Sequence, residues 1–321
     1  MPSPLFLPPK GRLRALLLPL LAATLAIAGC GTDPTGGPPR QRDTTLTDAL
    51  GRRVELALPA KRVVTLAPNL TEIVFAAGAG DRLVGVTTSA DFPPAADTLP
   101  TVQAYPQIDF EAVAARRPDL VLATDQVNAP RDAATLRAAG APTYFFSFSE
   151  LGDIPAAVEQ AGRLLGTPRQ APRAADSLRR VARRLEERTT RAIANTDAER
   201  PLVLFLIGDE TLYTFAEDSY VQEVIRIAGG RSATADLPTN APLSEEFVLE
   251  KQPDVIVGAF GTDYDPDKLA RLYPSWRGVV PALENGRVYS VKPPLFLRPG
   301  PRVFKGTQQL ARLLHPSLFG G

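Results

Sequence analysis

The stretch from about 168 to 195, PRQAPRAADSLRRVARRLEERTTRAIAN, constrains this chain more than any other. Small or apolar residues recur at Ala175, Leu178, Val181, Ala182, Leu185, Ala192 and Ile193 with the three-and-four spacing of an amphipathic helix. Arg and Glu fill the other faces, and no glycine interrupts the run. Thr167 is placed as an N-cap with Pro168 at the first helical position, and Pro172 should kink or delay the start. Roughly 27 residues at about 1.5 Å each span about 40 Å, the width of a domain. Such a helix is either a surface helix of one domain or a strut between two. Similar strand–helix segments on both sides of it favour the strut.

The chain has 321 residues, room for one large domain or two of ordinary size. A net charge of +1 argues against a nucleic-acid partner. Cys30 is the only cysteine and His315 the only histidine, so no Cys/His metal cluster and no thiol–imidazole pair can form within the chain. His315, near the C-terminus, is taken as incidental.

Residues 1–29 form a signal segment: Lys10, Arg12 and Arg14 precede an apolar run from Ala15 to Ala28. It ends Ile27-Ala28-Gly29-Cys30, which resembles a bacterial lipobox, and the resemblance implies cleavage before Cys30 and lipidation of that residue. Residues 30–44, rich in Gly, Pro and polar groups, read as a flexible tether. The body is therefore expected in the periplasm or on the cell surface, touching a membrane only through its lipid anchor.

The body alternates apolar strands with helices, the pattern of a sheet covered on both faces. A hairpin is expected over 45–60 and a strand in RVVTLAP. NLTEIVFAAGAG follows as a helix, with Asn69 and Glu72 as a capping box. After the long helix the pattern restarts at PLVLFLIG. Two segments repeat without a gap at an offset of 135 residues: DFEAVAARRPDLVLA from Asp109 and SEEFVLEKQPDVIVG from Ser244. Both carry an N-cap, then Glu at the second helical position, Glu111 and Glu246, then Pro-Asp and an apolar strand. The repeat favours two lobes of similar construction. Each Glu would support its helix dipole, which leaves open why both lobes display one.

Phosphate-loop, nucleophile-elbow and H-E-x-x-H signatures are missing. The loops carry Phe92, Tyr105, Tyr213, Phe215, Phe296 and Arg298, mostly past the C-terminal ends of strands, where open α/β sheets bind ligands. Aromatic faces with a cation suit a large, flat, partly anionic ligand. Each aromatic could equally pack under its loop, and Arg298 could equally form a structural ion pair. Trp276 is expected to pack between helix and strand.

RVVTLAPNLTEIVFAAGAGDRLVGVT, DFPP, DFEAVAARRPDLVLAT and RPGPRVFKGTQQLARLL, in that order, resemble the helical-backbone class of ABC-importer substrate-binding proteins. Members of that class carry cobalamin, haem or ferric siderophores. The resemblance covers about residues 46–316. It implies an α/β fold of two Rossmann-like lobes, 45–166 and 198–321, joined by one long rigid helix over 167–197, with the ligand cleft between the lobes. The run is most similar to the cobalamin-carrying branch. That likeness implies that Glu111 and Glu246 dock into basic pockets of an ABC permease dimer served by ATPase subunits. With the loop positions, it gives a ligand-binding set of Asn69, Phe92, Tyr105, Tyr213, Asn240, Phe296 and Arg298. Where that branch has further cleft tryptophans, this chain has Asn240 and Leu295. Cobalamin or a related corrinoid is the expected cargo, with a ferric siderophore (Arg298, Tyr105) or haem (Tyr105) as the alternative. No resident cofactor, metal site or catalytic residue is expected, and the protein is expected to be a monomer. An extracytoplasmic enzyme or adhesin on the same fold is the reading from another class.

Overall fold

Apolar runs become strands that pair into two parallel sheets in the computed structural model, which describes residues 42–196, 199–238, 242–261, 264–265 and 267–319. The signal segment and Cys30 lie outside the described residues. An antiparallel hairpin opens the body, β1 (Arg42–Thr47) on β2 (Arg53–Leu58). The first lobe continues with β3 (Val63–Thr65), α1 (Pro68–Ala76), β4 (Leu83–Thr87), β5 (Thr101–Val102), α2 (Phe110–Ala115), β6 (Leu120–Thr124), α3 (Asp132–Ala138), β7 (Thr143–Phe146) and α4 (Asp153–Leu165). The long helix α5 spans Gln170–Thr196. The second lobe holds β8 (Leu202–Leu206), α6 (Tyr220–Ile227), β9 (Arg231–Ser232), α7 (Glu245–Lys251), β10 (Val255–Gly258), α8 (Lys268–Leu272), α9 (Pro281–Glu284), β11 (Val288–Ser290), α10 (Val303–Leu314) and α11 (Pro316–Phe319). No helix of the described residues is long and apolar enough to cross a membrane.

The first sheet runs β5-β4-β3-β6-β7 and the second β11-β10-β8-β9. In each, the chain leaves a central strand for one side and then crosses to the other. The reversal falls between β3 and β6, and again between β8 and β10. Helices depart to opposite faces at such a point and leave a crevice beyond the strands' C-terminal ends.

The sequence repeat is a structural repeat in detail. Asp109 Oδ1 accepts from Ala112 N at 2.9 Å, and Ser244 Oγ accepts from Phe247 N at 3.2 Å, so both short helices are side-chain capped. Both end in a left-handed non-glycine residue, Arg117 and Gln252, each at φ 48°. Asp119 and Asp254 then tie the next strand to its neighbour. Asp119 accepts from Lys61 N and Arg62 N, at 2.8 Å each through its closer oxygens, and Asp254 accepts from Leu202 N at 2.7 Å.

α5 is the strut. It packs on α4 of the first lobe and on α6 and α10 of the second. Arg179 pairs with Glu159 of α4 at 2.5 Å, and Arg226 of α6 pairs with Glu186. One hydrophobic core runs through both lobes, from Val63 and Leu120 through Ala175 and Leu185 to Phe205 and Val257. Two local expectations are corrected. Gln170, not Pro168, opens α5. The Thr167 carbonyl accepts from Gln170 N and Ala171 N, but Pro172 has no N–H for the Pro168 carbonyl, so it delays the start as expected. Pro172 then falls in the first turn of α5, where a proline is tolerated. The Asn69–Glu72 capping box does not form either. α1 begins at Pro68 after Ala67, with no side-chain cap, and Glu72 turns to Arg302 instead.

Candidate functional site

A groove of about 510 Å³ opens between the lobes at the crevice defined by the strand order. Pro68 and Asn69 follow β3, Asp125 and Gln126 follow β6, and Ser147, Phe148 and Ser149 follow β7. The second lobe contributes Phe215, Asp218, Ser219 and Tyr220 at the start of α6, and Leu297–Pro299 before α10. Much of this lining was not singled out in the sequence. Its signal was position: the residues directly after β6 and β7.

The polar lining is rich in acceptors. Asn69 is buried and donates its amide N–H to the Pro299 carbonyl at 3.2 Å. Gln126 donates to the Phe148 carbonyl at 2.9 Å, and Ser147 to Asp125 Oδ2 at 2.9 Å. Spending these donors on the protein leaves oxygens for a ligand. Arg298, the cation among the described lining residues, is paired with Asp91 at 2.6 Å.

That pair belongs to a clasp between the lobes. Arg302 reaches Glu72 at 2.8 Å and Asp91 at 3.1 Å, and its guanidinium lies 4.5 Å from the centroid of the Phe92 ring. Burial pushes the Glu72 carboxyl above its usual range, while the Arg302 hydrogen bond and charge pull it back. Glu72 Oε2 and Arg302 Nε have no hydrogen-bond partner among the described residues.

Of the expected ligand-binding set, Asn69 and Arg298 line the groove. Phe92 sits half-buried in the clasp instead. Tyr213 is 46% exposed in a separate hollow after β8, with Ile207–Thr211. Tyr105, 70% exposed, lines neither. Phe296 is a correction. Its ring is fully buried against Phe205, 5.3 Å between centroids, and its carbonyl accepts the Tyr220 hydroxyl, so no face is left for a ligand. Asn240 lies outside the described residues. Trp276 is fully buried and stacked on Tyr273, as expected. Glu111 and Glu246 stand exposed in the first turns of α2 and α7. The Glu246 backbone N–H and the Ser244 side chain hold the Glu246 carboxyl below its usual range.

Residues 63–295 match the periplasmic binding protein family, and the chain belongs to it. The ABC transporter substrate-binding lipoprotein YvrC of Bacillus subtilis (strain 168), itself uncharacterized, is 28% identical over 94% of this chain and 96% of its own length. A vitamin B12-binding protein of Pectobacterium carotovorum is 32% identical over 84% of this chain and 93% of its own. Among solved structures, the periplasmic vitamin B12-binding protein BtuF of Vibrio cholerae matches with a TM-score of 0.69 at 27% identity, covering 82% of this chain and 99% of that one. A periplasmic haem-binding protein of Pseudomonas aeruginosa matches with a TM-score of 0.70 at 28% identity, covering 80% and 94%.

Proposed function

We propose that this chain is the lipid-anchored substrate-binding component of an ABC importer and that it captures cobalamin or a related corrinoid in the groove between its lobes. The observation that carries the cargo is the acceptor-rich lining. A corrinoid presents a rim of carboxamide N–H donors. Asp125, Asp218 and the amide oxygens of Asn69 and Gln126 can accept them, while the half-buried Phe215 offers apolar contact to the ring system. Haem would instead bring two propionates toward Asp125 and Asp218, with Arg298 already committed to Asp91. The vitamin B12-binding relatives support this reading, and YvrC, a lipoprotein matched over nearly its whole length, supports the anchor at Cys30.

Haem or a ferric siderophore is the second reading. It is favoured by the haem-binding structure, similar to a comparable degree, and by the exposed phenols Tyr105 and Tyr213. Calorimetric titration of the purified protein with cyanocobalamin, haemin and a ferric siderophore in parallel separates the two. One-to-one cobalamin binding is expected. Heat from an iron chelate alone would move the cargo to iron.

Glu111 and Glu246, at equivalent places on the two lobes, are proposed as the permease contacts. Reversing both charges should abolish transport and leave cargo affinity intact. Surviving transport would remove them from that role.

A further inference from the structure

The face of α5 turned away from the core carries an arginine ridge. Ala171, Ala175, Leu185 and Thr189 are buried on its inner face. Arg173, Arg180, Arg184 and Arg191 are exposed, and at about 100° per residue they fall within about 20° of one line opposite that face, over roughly 27 Å. None of the four has a salt-bridge partner among the described residues. Asp176 is taken by Arg179 at 3.2 Å, and Glu187 is the acid that stands beside the ridge. Residues 169–191 hold eight arginines and three acids, a net +5, while the whole chain carries +1. Such a stripe is a site for an anionic surface.

Two placements say which surface. First, α1 and α6 present Asn69 and Ser219 to the groove, and α5 passes their far ends. Gln170 lies against Gly78, just beyond α1, and Thr189 Oγ1 donates to the Ile227 carbonyl at 3.0 Å, at the end of α6. Ridge and groove therefore face opposite ways. Second, the body begins beside the start of α5. Arg42 pairs with Leu58, and Ala60 N donates to the Leu164 carbonyl at 2.9 Å, on the last turn before α5. Residues 31–41 reach at most about 40 Å when extended, so a lipid on Cys30 would be tied to a point beside the start of α5.

We propose that, before the protein docks on its permease, the ridge of Arg173, Arg180, Arg184 and Arg191 rests on anionic phospholipid headgroups of the membrane that holds the lipidated Cys30 and keeps the groove open to cargo on the side away from the bilayer. Docking through Glu111 and Glu246 then requires release of the ridge. This rests on the lipid anchor proposed above. Arg184 and Arg191 flank a shallow hollow of about 500 Å³, shared with Glu187 and with Arg188, which already donates to the Leu318 carbonyl and stacks on Phe319. A phosphodiester headgroup there would meet the guanidinium groups of Arg184 and Arg191. Each arginine held against an anionic bilayer raises its occupancy there roughly five-fold, within a screening length of about 10 Å at about 0.1 M salt. The tether supplies the local concentration.

The test uses the full lipidated chain in vesicles. Cys30 is the only cysteine, so once it is lipidated Ser177→Cys, beside the ridge, gives one free thiol for a fluorophore, and Val127→Cys gives one at the groove rim. A quencher on the lipid headgroups should dim the Ser177 label several-fold more than the Val127 label in phosphatidylcholine mixed with phosphatidylglycerol. The difference should vanish in pure phosphatidylcholine, in about 1 M salt, and when all four arginines become Glu. Should the reversed protein misfold, the salt series on the unreversed chain decides. Equal dimming of the two labels, or a difference that survives salt, overturns the proposal. Protein that fails to float with any vesicle refutes the anchor and the proposal together. Protein that floats without dimming at Ser177 refutes the ridge alone.

Discussion

In the first lobe Asp119 holds two backbone N–H groups, those of Lys61 and Arg62, and in the second Asp254 holds one, that of Leu202. Around them the two lobes match, with capped short helices, left-handed residues at Arg117 and Gln252, and the same strand reversal. At the groove they diverge. The first lobe offers mostly polar side chains from loops after β3, β6 and β7, while the second offers Phe215, Asp218 and the start of α6. Residues that hold a strand in register recur because the geometry recurs. Residues past the strand ends are free to differ, and recognition is placed there.

Several substitutions would break or sharpen this comparison. The largest effect is expected at the clasp joining the lobes. Arg302→Ala strands the buried Glu72 carboxylate and should cost about 3 kcal/mol, read as a lower urea midpoint. Because one core spans both lobes, the transition should stay single; two transitions would mean that the lobes fold independently. Next come the paired aspartates. Asp119→Ala should cost about 2 kcal/mol and Asp254→Ala about 1.5 kcal/mol by the same measurement, following their counts of charge-assisted bonds. A clearly larger loss at Asp254 would break the equivalence.

A smaller, pH-dependent difference marks the second lobe, which holds the only histidine. His315 Nε2 lies 3.2 Å from the Gly229 carbonyl oxygen, and burial pushes its pKa below the ordinary value of 6.5. The unfolded chain takes up that proton first, so stability present above about pH 6.5 is lost as pH falls through it. His315→Gln should flatten that slope in melts across the range. An unchanged slope would place the titration elsewhere. The smallest effects belong to Arg117→Gly and Gln252→Gly, each expected to gain up to about 1 kcal/mol by relieving a left-handed backbone. A loss at either would mean that its side chain matters more than its φ.

The architecture was legible because its signals are local. The period of α5, the apolar strands and the 135-residue repeat need no knowledge of distant partners, and all three appear as read. The misreadings have a common cause. Asn69 and Glu72 have capping-box spacing, but a buried carboxylate gains more from Arg302, 230 residues away. Phe296 sits in a loop by sequence, yet Phe205 and Tyr220 bury it from another part of the lobe. Asp125, Gln126 and Ser147 carry no motif. They meet in one groove because β3, β6 and β7 are neighbours in the sheet, which depends on strand order.

The most direct measurement is the affinity for cyanocobalamin of the unaltered protein beside Phe215→Ala and Gln126→Ala, one from each wall of the groove. One-to-one binding is expected, weakened about ten-fold or more by Phe215→Ala, which removes an aromatic face, and a few-fold by Gln126→Ala, which removes an acceptor. Absence of cyanocobalamin binding, or an affinity indifferent to both walls, would contradict a corrinoid held between the lobes.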